Sequence, residues 1–376
     1  MAEGPAGTTG GRDLALDGLR GFAVAIVVWG HTTVPWVAPY PPFPAGWFGV
    51  EVFFALSGYL ITRTLLADAG PGALPRFWTR RFCRIVPAFA VLAVVCLLVF
   101  DLRHPLALVT YTLNFALALH GRSADNLTVG HVWSLCVEEH FYLLWPLLVL
   151  GLRRPRLLRT TVAVILGSFG LAAAFAWLAG RQGVEVGRID DAVLLCTPFR
   201  VGTLMLGAIP ALRGVRFGDR RMLWPAAIFL VAGFALPGLP DPYAQVHQLV
   251  SQSLLASGLF YAVLSGLGRG LWSWRPLTDL GRISYGVYLA HVPVLWGMGL
   301  WGGPFLVGPD ATGRVLQAYV LILALAWLSF TYFESPIIRW GHAVTKRMRL
   351  AAEARTPLAA TPPPAAVIES PARLRT

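Results

Sequence analysis

The sequence predicts an all-α integral membrane protein, a bundle of about ten transmembrane helices with its N and C termini on the cytoplasmic side. Three observations predict it. Of the 376 residues, 56% are hydrophobic and 13% charged, with a mean hydropathy of +0.62, whereas soluble domains carry about 25% charged residues. The apolar residues gather into runs of the length that crosses a hydrocarbon core, about 20 residues. The basic residues gather between those runs, and mainly in alternate gaps, as in the cytoplasmic loops of membrane proteins.

The candidate spans are 18–37, 46–67, 86–102, 131–150, 160–180, 192–212, 222–240, 249–267, 283–301 and 315–334. A further run, PLALVTYTLNFALALH at 105–120, is short and opens with proline. Charge decides its fate. If it does not cross, loop 68–85 (Arg76, Arg80, Arg81, Arg84) and the Arg-rich loops 151–159, 213–221 and 268–282 all share a side with Arg339, Lys346, Arg347 and Arg349. If it did cross, loop 151–159 would face outward and the later loops would invert. Ten crossings are therefore expected, with 105–120 re-entrant or lying at the outer surface.

Residues 1–15 then form a cytoplasmic N-terminal segment and 16–340 the multispanning domain. Residues 341–376, basic and rich in Pro and Ala, are expected to be a disordered cytoplasmic tail. The first apolar run lacks a small-residue cleavage site and is expected to be a retained helix. The net charge of +12 belongs to the cytoplasmic loops, not to a nucleic-acid surface. Cys83, Cys96, Cys136 and Cys196 lie far apart without CxxC spacing, so neither a metal site nor a disulfide framework is expected.

Ionisable side chains inside spans are costly and mark cavities or partners. In LDGLRGFAVAIVVWGH, Arg20 and His31 are eleven residues apart, which places them on one helix face roughly 16 Å apart along the axis. In HVWSLCVEEHFYLLWP, His131, Ser134, Glu138 and Tyr142 are spaced three, four and four, a single polar stripe. Glu138 is expected at the depth of His31, where a carboxylate would orient the imidazole for general-base chemistry. Glu51 and Arg200 enter their spans to similar depths. On the cytoplasmic side RFWTRRFCRIVP interleaves Arg76, Arg80, Arg81 and Arg84 with aromatics, a pattern that suits lipid headgroups or, through bidentate guanidinium contacts, a polyphosphate.

Taken together these stretches resemble the membrane acyltransferase 3 family of integral-membrane O-acyltransferases. The resemblance covers about residues 13 to 340. LDGLRGFAVAIVVWGH carries the basic-x10-His pattern in Arg20 and His31, and GWFGVEVFFALSGYLIT the second-helix motif, with Glu51 where aspartate is more usual. Arg81 and Arg84 form the RxxR pair. HVWSLCVEEHFYLLWP resembles the WSLxxEExFY block, with His140 where glutamine is common. TPFRVGTLMLGA, LGRISYGVYLAHVPVL and FESPIIRW follow in order.

The resemblance implies transfer of an acyl group, expected to be acetyl, from cytosolic acyl-CoA to a hydroxyl. The acceptor would be carbohydrate, on an envelope glycan or a glycosylated metabolite such as a macrolide. It implies a catalytic His31, here with Glu138 as its partner, and CoA phosphates at Arg81 and Arg84 with Arg20. Glu51, Ser134, Glu139 and Tyr142 are expected to line or support the cavity, together with Arg200, Tyr288 and His291. Acyl-CoA is a co-substrate on this reading; no bound cofactor or metal is expected, and the location is the plasma membrane. Three alternatives were open on sequence. HGRSAD, from His120 to Asp125, matches the HxxxxD pattern of glycerolipid acyltransferases, at a spacing that chance supplies readily. His291 is a rival base. A transporter or flippase would also bury charges and break spans.

Overall fold

The computed structural model describes residues 8–9, 12–33, 45–121, 128–300 and 309–355. A two-residue antiparallel pairing of Thr8–Thr9 with Arg12–Asp13 leads into helix, and the rest is helical. The helices are α1 (Leu14–Thr33), α2 (Ala45–Ala67), α3 (Ala73–Val99), α4 (Pro105–Val109), α5 (Leu113–His120) and α6 (Trp133–Gly151). They continue as α7 (Arg154–Arg181), α8 (Val186–Leu195), α9 (Thr197–Leu212), α10 (Leu223–Ala235) and α11 (Ala244–Leu264). The last four are α12 (Arg269–Trp272), α13 (Arg275–Gly297), α14 (Pro309–Leu328) and α15 (Ser335–Arg355).

Among the described residues, six helical stretches are long and apolar enough to cross a membrane: Leu14–Thr32, Gly46–Ala67, Ala73–Val99, Arg154–Arg181, Val186–Leu212 and Thr312–Ala354. The chain is a multi-pass membrane protein. The spans expected at 131–150, 249–267 and 283–301 do form helices (α6, α11 and α13), but each turns polar groups inward. Gln252, Ser253 and Ser257 of α11 are buried, as are Ser284 and His291 of α13, and this polarity lowers the hydropathy on which a span is counted. The stretch 222–240 yields only the 13 residues of α10, which stops short of Pro237 and Pro240.

Other boundaries moved for identifiable reasons. The segment 105–120 forms two short helices broken at Tyr111, which has a φ of 56°; neither is long enough to cross about 30 Å. The span expected at 192–212 is broken at Cys196, whose φ and ψ of −71° and 130° are extended. Pro198 lies two residues on and has no N–H to offer the carbonyl of Leu194. The arginine-rich segment expected as a loop is instead the first half of α3. Arg76 and Arg80 both reach back to Asp68, with Nη2–carboxylate distances of 2.8 Å each. Partial burial pushes the Asp68 carboxyl up, but hydrogen bonds from the two guanidiniums prevail and hold it below the usual carboxylate range.

The tail also differs from expectation. Helix does not end near 340 but runs on through α15 to Arg355, and only 356–376 of the expected disordered tail lie outside the described residues. A π turn, Ser329–Glu334, joins α14 to α15. It sits just before Pro336, whose ring would clash with the carbonyl four residues back in a regular helix. Gly341 lets α15 lie against α3, where an added Cβ would come 2.8 Å from Cys83 Cβ.

The bundle is organised by glycine contacts between helix backbones. At α1–α13, a Cβ on Gly21 would sit 2.0 Å from the Leu277 carbonyl oxygen, and one on Gly281 would sit 1.9 Å from that of Asp17. At α2–α9, Gly58 would meet the Leu204 oxygen at 1.8 Å and Gly207 the Ala55 oxygen at 1.9 Å. Within lipid such small-residue seams drive association, because hydrocarbon offers no hydrophobic gain for helix pairing. Since backbone cannot retreat like a flexible side chain, Gly21→Val and Gly207→Val are each expected to cost at least the 1–3 kcal/mol, roughly, of core overpacking. Melting of the detergent-solubilised protein followed by Trp fluorescence should show this, whereas Gly167→Ala, with open space around it, should melt with the wild type.

Candidate active site

Residues from five helices line one partly open cavity. Helix α1 supplies Arg20, α2 supplies Phe53, Phe54 and Ser57, and α3 supplies Arg81, Arg84 and Ile85. From α6 come Ser134, Glu138 and Tyr142, and from α13 Ser284, Tyr285 and Tyr288. The α6 residues share a face because they are four apart.

Three arginines, Arg20, Arg81 and Arg84, line this cavity. Arg20 pairs with Asp17 at 3.4 Å. The Arg81 guanidinium lies 5.5 Å from the Phe77 ring centroid and 5.3 Å from that of Tyr142, so aromatic faces hold it in place. Glu138 is the carboxylate of the cavity wall. It accepts hydrogen bonds from Ser57 Oγ and Tyr142 OH, both at 2.8 Å.

That placement corrects one expectation: Glu138 does not bond the His31 imidazole. The ring is oriented within its own helix, where Nδ1 donates to the Val27 carbonyl at 2.7 Å. A carbonyl can only accept, so Nδ1 carries the proton and Nε2 the basic lone pair. His31 does not line the cavity either. It is half-buried, with Gly46 of α2 beside its ring.

His31 belongs instead to a cluster of three imidazoles. The His31 and His291 centroids are 4.9 Å apart, and those of His291 and His131 5.0 Å, both edge-on. His131 sits on a 3-10 turn, Gly130–Val132, just before α6. The polar stripe read from sequence therefore splits. Ser134, Glu138 and Tyr142 face the cavity, while His131 turns to the other histidines. Tyr288 joins the two regions: it lines the cavity, and its hydroxyl meets Ser134 Oγ and donates to the His131 carbonyl at 2.7 Å.

The remaining expected residues stand off the cavity. Glu51 and Arg200 form an ion pair buried to 0% and 1% side-chain exposure. The guanidinium is enclosed by Trp47, Phe54 and Trp133, with centroids 5.8, 5.8 and 5.1 Å away. The pair backs Phe54 and the start of α6 without lining the cavity. Glu139 points elsewhere, and so does His140, whose Nδ1 meets Thr197 Oγ1 at 2.7 Å. Of the HxxxxD pattern, His120 stacks on His104 at 4.9 Å and does not line the cavity, and Asp125 lies outside the described residues. Ser57 and Tyr285 were missed on sequence. Ser57, six residues after Glu51 in a predicted span, gave no signal beyond its polarity.

The family model described as an acyltransferase domain, acyltransferase 3, matches residues 13–333, which takes in every helix that lines this cavity and all three histidines. The chain belongs to the acyltransferase 3 family. Within the family it is similar to the O-acetyltransferase OatA of Staphylococcus aureus, 29% identical over 364 residues, covering 87% of this chain and 57% of that protein. It is also similar to the peptidoglycan O-acetyltransferase OatA of Listeria monocytogenes, 27% identical over 375 residues, covering 87% and 56%. This acyltransferase 3 chain thus spans a little over half the length of the curated relatives it matches. No solved structure matches it.

The buried pair makes a further outcome explicit. Glu51→Gln would leave Arg200 charged and uncompensated among aromatic rings, a change expected to cost about 3–5 kcal/mol. Melting of Glu51→Gln, Arg200→Gln and the double variant in detergent tests this: the double variant should lose clearly less than the two single losses combined.

Proposed function

We propose that this protein is a membrane-embedded O-acyltransferase that moves an acyl group, acetyl in the simplest case, from cytosolic acyl-CoA to a hydroxyl of an envelope glycan. One observation carries it: three arginines and the Tyr288–Ser134 pair line one cavity, and His131 and His291 pack against Tyr288. Arginine suits the phosphates of CoA because guanidinium offers paired donors to phosphate oxygens. A peptidoglycan acceptor is supported by the similarity to the peptidoglycan O-acetyltransferase of Listeria. The proposal includes ten crossings of the plasma membrane with both termini inside, which puts Arg81 and Arg84 at the cytoplasmic mouth.

The chemistry follows from the hydrogen bonds. With Nδ1 engaged by Val27, His31 offers Nε2 to the acceptor hydroxyl. It takes the proton as oxygen attacks the thioester carbonyl, then returns it to the departing CoA thiolate. Val27 holds the tautomer, the task sequence reasoning assigned to Glu138. Glu138 instead balances the arginines and, through Ser57 and Tyr142, fixes the cavity wall. Enclosing both reactants away from water supplies rate through proximity.

Acetyl transfer by purified protein in nanodiscs, from radiolabelled acetyl-CoA to soluble peptidoglycan strands, tests this directly. His31→Ala should lower kcat by about 10²–10⁴. Arg81→Ala and Arg84→Ala should raise the KM for acetyl-CoA while leaving that for glycan alone. Near-wild-type transfer by His31→Ala would remove it as the base, and acceptor KM effects alone in the arginine variants would remove the phosphate site.

A further inference from the structure

The three imidazoles differ in one respect. His31 and His291 each commit an N–H to a carbonyl of their own helix: His31 Nδ1 to Val27 at 2.7 Å, and His291 Nδ1 to Tyr288 at 2.6 Å. In each ring the proton therefore sits on Nδ1, and Nε2 is the acceptor nitrogen. His131 is the exception. It is 5% exposed, and neither of its nitrogens has a hydrogen-bond partner. A neutral imidazole always carries one N–H, so His131 holds the uncommitted donor of the cluster. The Leu289 carbonyl, which Pro293 leaves without its helical N–H, lies nearby but outside hydrogen-bonding geometry.

An unanswered donor in a dry pocket next to a base is the arrangement that stabilises negative charge on a carbonyl oxygen. We propose that His131 is a catalytic residue, donating its N–H to the acyl carbonyl oxygen of the donor. This rests on the acyl-transfer function above and deepens it. As the acceptor oxygen bonds to the carbonyl carbon, its proton passes to His31 Nε2 and the carbonyl π electrons move to oxygen. That oxyanion accepts from His131. Re-forming the carbonyl breaks the C–S bond, and His31 returns the proton to the thiolate. His131 is neither protonated nor consumed. Its backbone is held for the task, since the Tyr288 hydroxyl anchors its carbonyl at 2.7 Å. The site abuts the cavity where Ser134, three residues on, forms the wall. The three imidazoles do not form a group that could hold a metal ion.

The test uses the full chain in nanodiscs with acetyl-CoA and soluble peptidoglycan strands. His131→Ala should lower kcat about 10²–10³-fold, the usual effect of losing one oxyanion donor, with the KM for acetyl-CoA little changed. His131→Gln and His131→Asn place an amide N–H near Nε2 and Nδ1 respectively. Whichever matches the native donor should recover at least tenfold over His131→Ala. Melting followed by Trp fluorescence separates a structural role. If His131 only caps the Leu289 carbonyl, His131→Ala will melt lower but turn over like the wild type, and the proposal falls. It also falls if both amide variants are as inactive as alanine while melting normally. A wild-type protein that never cleaves acetyl-CoA overturns the function and this inference together. An active wild type with an equally active His131→Ala overturns this inference alone.

Discussion

The site exists because α1 and α13 touch backbone to backbone. Gly21 and Gly281 leave no room for a Cβ between the two helices, and ten residues along from each the consequence is visible: His31 and His291 stand edge to face. A wider seam would part the rings and open the wall between Arg20 and Tyr288. Hydrocarbon gives such a seam no hydrophobic assistance, so the contact depends on shape alone. The equivalent seam between α2 and α9 places Glu51 against Arg200 and, six residues further along α2, sets Ser57 where it can meet Glu138.

Buried polar groups in this bundle are answered locally wherever the geometry allows. His31 bonds the carbonyl four residues back, Glu138 takes hydroxyls from Ser57 and Tyr142, and Arg200 is wrapped by three aromatic rings as well as its carboxylate. Such local solutions avoid the cost of an unmatched group where no water reaches it. His131 departs from these local solutions, since both of its ring nitrogens lack a partner.

Much of the fold was legible because hydrophobic run length and charge placement are physical constraints that sequence states directly. The arginines of the cavity and the stripe Ser134–Glu138–Tyr142 were legible for the same reason, through helical spacing. Sequence missed what depends on backbone carbonyls. That Val27, and not Glu138, orients His31 cannot be read from side-chain types, since every residue has a carbonyl. Helix ends moved where proline acts at a distance of four residues, as at Cys196 and in the π turn before Pro336. His131 was placed on the cavity stripe because spacing assumes a continuous helix, whereas the chain enters α6 through a tighter turn that swings the ring aside.

Residues 341–355 were expected to belong to a disordered tail, and their helical form has a geometric consequence. From Thr312 to Ala354 the polypeptide is helical for 43 residues, about 65 Å at 1.5 Å per residue, whereas a bilayer with its headgroups measures about 40–45 Å. The rod therefore stands out into water. Because Gly341 seats it on Cys83, it emerges next to the arginine face of α3 and carries Lys346, Arg347 and Arg349 beyond the lipid. The roughly 20–25 Å by which the rod exceeds the bilayer is two to three Debye lengths at physiological ionic strength, so its positive charge acts on anions beyond the reach of the headgroups.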